Sequence, residues 1–143
     1  MLTSTDLCDW FTQKWPSFAT PPESSVVFQP GPFLNVMPDR LVTVTVSGGA
    51  GTYGEEQYED RPTFQLRTRG AQGSEQDAQN IAYALDQFLR VTLYPVTTPA
   101  GTLIKVVDRT GGQPTYLPGT PDEGLRYELT CNYIAVVGIP FGS

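Results

Sequence analysis

The chain is expected to fold as one α+β domain, an antiparallel or mixed sheet with a main helix packed on one face and a further helix at the N-terminus. Three observations predict it. Residues 40–46 and 62–69 alternate polar and apolar side chains at period two, residues 74–90 carry an apolar stripe at helical spacing, and two more strand-like runs follow that helix. A chain of 143 residues suffices for one such domain, which at this size buries roughly two-thirds of its unfolded surface. Its organisation reads as an N-terminal helix over 1–15, a proline-rich connector over 16–38 and an α+β core over 39–143.

Thr3-Ser4-Thr5-Asp6 fits a capping box, with Thr3 at the N-cap and Asp6 at the third helical position, and Leu7, Trp10 and Phe11 then share one face. Pro16 is expected to end this helix. Prolines at 16, 21, 22, 30, 32 and 38 lock φ and remove donors, so the connector should wrap a surface and stay out of the core, with one short strand over Ser25–Gln29. In RLVTVTV, Arg40–Val46, Val42, Val44 and Val46 face one side while Leu41, Thr43 and Thr45 face the other. The glycine-rich acidic run Ser47–Asp60 has no usable period and reads as a long loop. In the strand Pro62–Arg69, Phe64, Leu66 and Thr68 point inward and Gln65, Arg67 and Arg69 outward. This strand should pair antiparallel with its predecessor. Ser74 caps the main helix with Asp77 at the third position, and Ala78, Ile81, Ala82, Leu85, Phe88 and Leu89 form its stripe. It ends near Arg90, favourably set against the negative end of the helix dipole. Thr102–Arg109 and Arg126–Val137 complete the strands.

Composition excludes several functions. The formal charge of -6 opposes broad binding to phosphate surfaces. With no histidine and two widely separated cysteines, Cys8 and Cys131, the usual zinc patterns and any histidine-dependent triad are ruled out; the thiols read as reduced and partly buried. No apolar run approaches the ~20 residues of a membrane span, and MLTSTDLCDW lacks the features of a signal peptide, so synthesis in the cytoplasm is expected. SGGAG, Ser47–Gly51, lacks the Lys-Ser/Thr pair and following helix of a phosphate-binding loop. Glu55, Glu56, Glu59 and Asp60 match no calcium loop and read as a solvated acidic surface, or as one for a protein partner. Arg67 and Arg69, about 7 Å apart on one strand face, carry planar forks suited to carboxylates across an interface.

TFQLRTRG (Thr63–Gly70), DAQNIAYALDQFL (Asp77–Leu89) and GTPDEGLRYELTCNYIAVV (Gly119–Val137) together resemble the tail terminator proteins of long-tailed bacteriophages, also called tail completion or minor capsid proteins. The resemblance spans roughly Arg40 to Val137. It lies in the order of the pieces: Phe64, Gln65, Leu66, Arg67, Arg69 and Gly70, then Asp77 and Ala78, then Asp122, Gly124, Arg126, Asn132 and Tyr133. It implies a structural virion protein, not an enzyme, made in the host cytoplasm and working without cofactor or metal. It would cap the completed tail tube as a ring, a hexamer, ending tube polymerisation and presenting the surface that joins the tail to the head connector. Its partners would be copies of itself, the major tail tube protein and the head-closure or connector protein. DNA would pass through the lumen without specific binding, and no membrane would be involved. Candidate interface residues are Arg67, Arg69, Gln65 and Arg126, with Tyr53, Glu55, Glu56, Tyr58, Glu59 and Asp60 of the acidic loop. A head-closure or other neck protein would share these properties. A small hydrolase built on Glu55, Glu56 or Asp122 is the reading from another class.

Overall fold

In the computed structural model, α1 (Ser4–Phe18) starts at the predicted cap, where Thr3 Oγ1 accepts the Asp6 N–H at 3.1 Å. The structure describes residues 2–21, 23–31, 40–51, 59–71, 73–116 and 127–138. Leu7, Cys8, Trp10, Phe11 and Trp15 are buried along one face. The helix does not stop at Pro16 as expected. It runs on to Phe18, because a proline in the last turns removes only one donor and tertiary contacts offset that loss. The Ala19 N–H still reaches the Trp15 carbonyl at 2.9 Å, the Trp15 indole donates to the Glu23 carbonyl at 2.8 Å, and the Phe18 ring packs on Phe88 at 5.3 Å.

Seven described strands form one sheet: β1 (Val27–Pro30), β2 (Leu41–Gly51), β3 (Glu59–Arg69), β4 (Val96–Thr97), β5 (Leu103–Arg109), β6 (Thr115–Tyr116) and β7 (Glu128–Gly138). Their order is β1-β2-β3-β7-β5-β4, with β6 also against β7. β1 runs parallel to β2 and the other pairs are antiparallel, so the sheet is mixed. Two sequence expectations are corrected here, and two short strands are additional. The short strand expected over Ser25–Gln29 is present as β1, shifted to Val27–Pro30, but the connector does not stay out of the core: Phe28 is buried and stacks on Phe11 at 5.2 Å. The run Ser47–Asp60 is not all loop: β2 extends to Gly51 and β3 begins at Glu59, with a register shift between Ser47 and Ala50 that hides the period. The two-residue strands β4 and β6 are too short to leave a periodic signal.

Both helices, α1 and α2 (Glu75–Val91), cover the same sheet face. Val42, Val44, Phe64, Leu66, Cys131, Tyr133, Ala135, Val137 and Ile104 rise from the sheet to meet Trp10, Phe11, Ile81, Leu85, Phe88 and Leu89 in one core. Each large side chain so buried contributes about 1.5–3 kcal/mol. The start of α2 is pinned to the end of β3. Ser74 caps Asp77, whose carboxylate accepts the Ala71 N–H at 2.6 Å and Arg40 Nε at 2.9 Å. Gly70 lies so close to α2 that a Cβ there would sit 2.8 Å from Ala78 Cα. Gly70, Asp77 and Ala78, three of the residues that carry the resemblance, are therefore the joint between β3 and α2.

Candidate assembly surface

The alternation that sends Phe64, Leu66 and Thr68 inward sends Thr63, Gln65, Arg67 and Arg69 to the opposite face, and β2 and β7 follow the same parity. In register, Thr45, Gln65 and Asn132 form one cross-strand row, Thr43, Arg67 and Thr130 the next, and Leu41, Arg69 and Glu128 the third. Gln65 Nε2 donates to Asn132 Oδ1 at 3.2 Å, so two residues from separate pieces of the sequence meet in solvent. Ile134 follows Asn132 on this face, half-buried between Thr63 of β3 and Asp108 of β5. Neither helix lies here.

Arg67 finds its carboxylate within the chain. Its Nε and Nη2 donate to Glu128 Oε2 at 2.9 and 2.5 Å, across the diagonal between β3 and β7. With the Arg67 side chain 37% exposed, the pair contributes about 0–1 kcal/mol. Arg69 departs from the sequence expectation. It points outward by parity, yet it is only 1% exposed, beside the equally buried Leu41 and Thr43, and it is engaged by other groups of the protein. Alternation sets which face a side chain takes and says nothing about whether that part of the face is covered. Arg69 thus offers no free fork to a partner, whereas Gln65, Asn132, Thr45 and the Arg67–Glu128 pair remain accessible. A scan of protein-family models and a search of curated proteins each return no match.

Of the other candidates, Asp60 is half-buried in β3, and Glu59 enters that strand by its backbone. Tyr53, Glu55, Glu56, Tyr58, Asp122, Gly124 and Arg126 lie outside the described residues.

Sequence reasoning missed a second polar centre, on the helical side. Asp86 of α2 is 1% exposed. Its Oδ1 accepts the Tyr133 hydroxyl at 2.9 Å, and its Oδ2 accepts Arg109 Nη1 at 2.8 Å and Arg90 Nη2 at 3.0 Å. Burial pushes the Tyr133 phenol well above its ordinary value, and neighbouring Cys131 and Asp86 act in the same direction, so the hydroxyl stays protonated and keeps donating. The available signal was an aspartate flanking the apolar stripe with an arginine four residues on. Two open grooves flank Phe18: one of about 290 Å³ against Trp10, Lys14, Phe88 and Val96, another of about 390 Å³ against Glu23, Asn80 and Tyr83. Among the described residues no group of three or more acidic, cysteine or histidine side chains is placed to hold a metal ion.

Proposed function

We propose that the protein is a structural subunit of a bacteriophage tail, forming a ring that caps the completed tube and prepares it for joining to the head. The observation that supports this reading is the accessible part of the sheet face opposite the helices. Gln65 and Asn132, taken from two separate pieces of the resemblance to tail terminators, are hydrogen-bonded side by side on it, flanked by threonines and by the half-buried Ile134. A face of mixed amide, hydroxyl and aliphatic groups suits a wet subunit interface. The charge of -6 suits a collar through which a polyanion slides.

The test is capping. Purified protein added to polymerising tube subunits is expected to halt elongation and leave ring-shaped density at one tube end in negative stain. Continued growth with bare ends would overturn the reading. Density on the head connector and none on the tube would assign the protein to head closure instead.

A further inference from the structure

Among the described residues, every lysine and arginine but one is engaged within the chain. Arg40 pairs with Asp77, Arg67 with Glu128, and Arg90 and Arg109 with Asp86, while Arg61, Arg69 and Lys105 are held by other groups of the protein. The exception is Lys14, exposed on α1. In a chain with 15 Asp and Glu, a shortage of carboxylates does not explain it.

Its setting does. Trp10, Lys14, Ser17 and Phe18 follow one another at helical spacing along one stripe of α1, and Phe88, Thr92 and Val96 face them across the groove of about 290 Å³. Lys14 supplies the one charge among the described residues that line it. Exposed apolar side chains gather at the same corner: Phe18 is 38% exposed, and Val91 and Leu93, on either side of Thr92, are 53% and 90% exposed. Such residues scattered singly need no explanation, but a cluster marks a contact surface. Phe18 is the ridge between this groove and its neighbour of about 390 Å³. It stands there because α1 runs past Pro16, and its ring is fixed on Trp15 at 5.8 Å and Phe88 at 5.3 Å. The second groove is polar, with Asn80, Tyr83 and Gln87, and its charged residue is an acid, Glu23. The sign of charge therefore changes across Phe18.

We propose that the groove at Lys14 is the docking site for a segment of a second protein that carries a large apolar side chain with a carboxylate close by in sequence. The apolar group enters against Trp10, Phe88 and Val96, and the carboxylate pairs with Lys14. A small ligand is held in a site that encloses most of its surface, whereas this groove is open; an apolar anchor with a charged rim is the pattern of peptide recognition. Glu23 repels an acid on the far side of Phe18, so the segment lies in one direction only. The groove is on the helical side of the sheet and the Gln65–Asn132 surface is on the other. This inference therefore does not depend on the capping reading, and either can fail alone.

Selection from a displayed library of random dodecapeptides tests it, with the full chain immobilised and Lys14→Glu as the counter-target. The recovered peptides are expected to share a Phe, Leu or Trp with an Asp or Glu within about one helical turn, and a selected peptide should shift the amide resonances of Trp10, Ser17, Phe88 and Val96. Lys14→Gln should weaken that peptide roughly fivefold. Changing the peptide's acid to its amide should then cost nothing more, since the two changes remove one interaction. Lys14 is exposed and unpaired, so both variants should keep the circular dichroism spectrum and melting temperature of the parent. Recovery of no peptide family, of peptides without an acid, or of peptides that bind Lys14→Glu equally well would overturn the proposal. So would shifts confined to the opposite sheet face. An oligomer of the protein alone that Lys14→Glu dissociates would give the groove to a second copy, and tight binding of decanoate with no peptide enriched would give it to a small amphiphile; each result overturns the assignment to a partner protein.

Discussion

Two arginines two positions apart on β3 have opposite fates, and the difference is measurable. Arg67 sits at a half-exposed ion pair, so Arg67→Lys should change stability by less than about 1 kcal/mol. Arg69 is buried, and Arg69→Lys leaves an ammonium where a planar fork was accommodated, which should cost about 1–3 kcal/mol in urea unfolding. Equal effects from the two changes would contradict the assigned burial. Asp6 presents the reverse case. It is 3% exposed, and its carboxylate oxygens, with the Trp10 indole N–H one turn on, are the described buried side-chain atoms without a hydrogen-bond partner. An amide is desolvated at far lower cost than a carboxylate. Asp6→Asn should therefore raise the urea midpoint, through a gain of about 1–3 kcal/mol in unfolding free energy against a smaller loss of about 0.3–1 kcal/mol from the helix dipole. A lowered midpoint would show that the carboxylate is needed where it stands.

Among the elements, the joint between β3 and α2 gives the sharpest prediction. Gly70→Ala forces a methyl group against the Ala78 backbone and should cost about 1–3 kcal/mol. Because the obstruction is main chain, Ala78→Gly should not rescue it, and full rescue would place the strain elsewhere. Leu85, 1% exposed beneath α2, should cost about 2–5 kcal/mol on truncation to alanine, read as a drop in melting temperature. The stripe that identifies Leu85 was plain in the sequence, as were the α2 cap and the valine alternation of β2, because a local period records which face an element buries. What stayed hidden depends on distant partners. The last turn of α1 survives Pro16 through Trp15 and Phe18 packing elsewhere. Phe28 of the connector enters the core because Phe11 and Trp15 lie beside it. The Asp86 centre joins α2 to β5 and β7 through Arg109 and Tyr133, which no spacing rule links to Asp86. At the candidate surface, parity gave the direction of Gln65 and Arg67 correctly but not the cover over Arg69.

At the level of the whole molecule, the buried titratable groups set an upper limit on pH. Burial, with Asp9 adding to it, pushes the Cys8 thiol from its ordinary 9.0 up to about 12; burial likewise raises Cys131 and Tyr133. The fold holds all three in the neutral form, and the unfolded chain releases these protons first as pH rises. Their contribution is therefore complete below about pH 9 and is lost progressively between about pH 9 and 12. Urea midpoints at pH 8 and pH 11 should differ, the alkaline value being lower, and equal midpoints would show the groups to be solvated. The lengths of the central strands have a mechanical consequence. β2, β3 and β7 each span eleven residues, so a pull along the strands strains many ladder bonds together, whereas a pull across the sheet breaks them one after another, starting at the short β1 and β4 borders. The domain is thus stiff along one axis and can be peeled along another, so its resistance to force depends on where it is gripped.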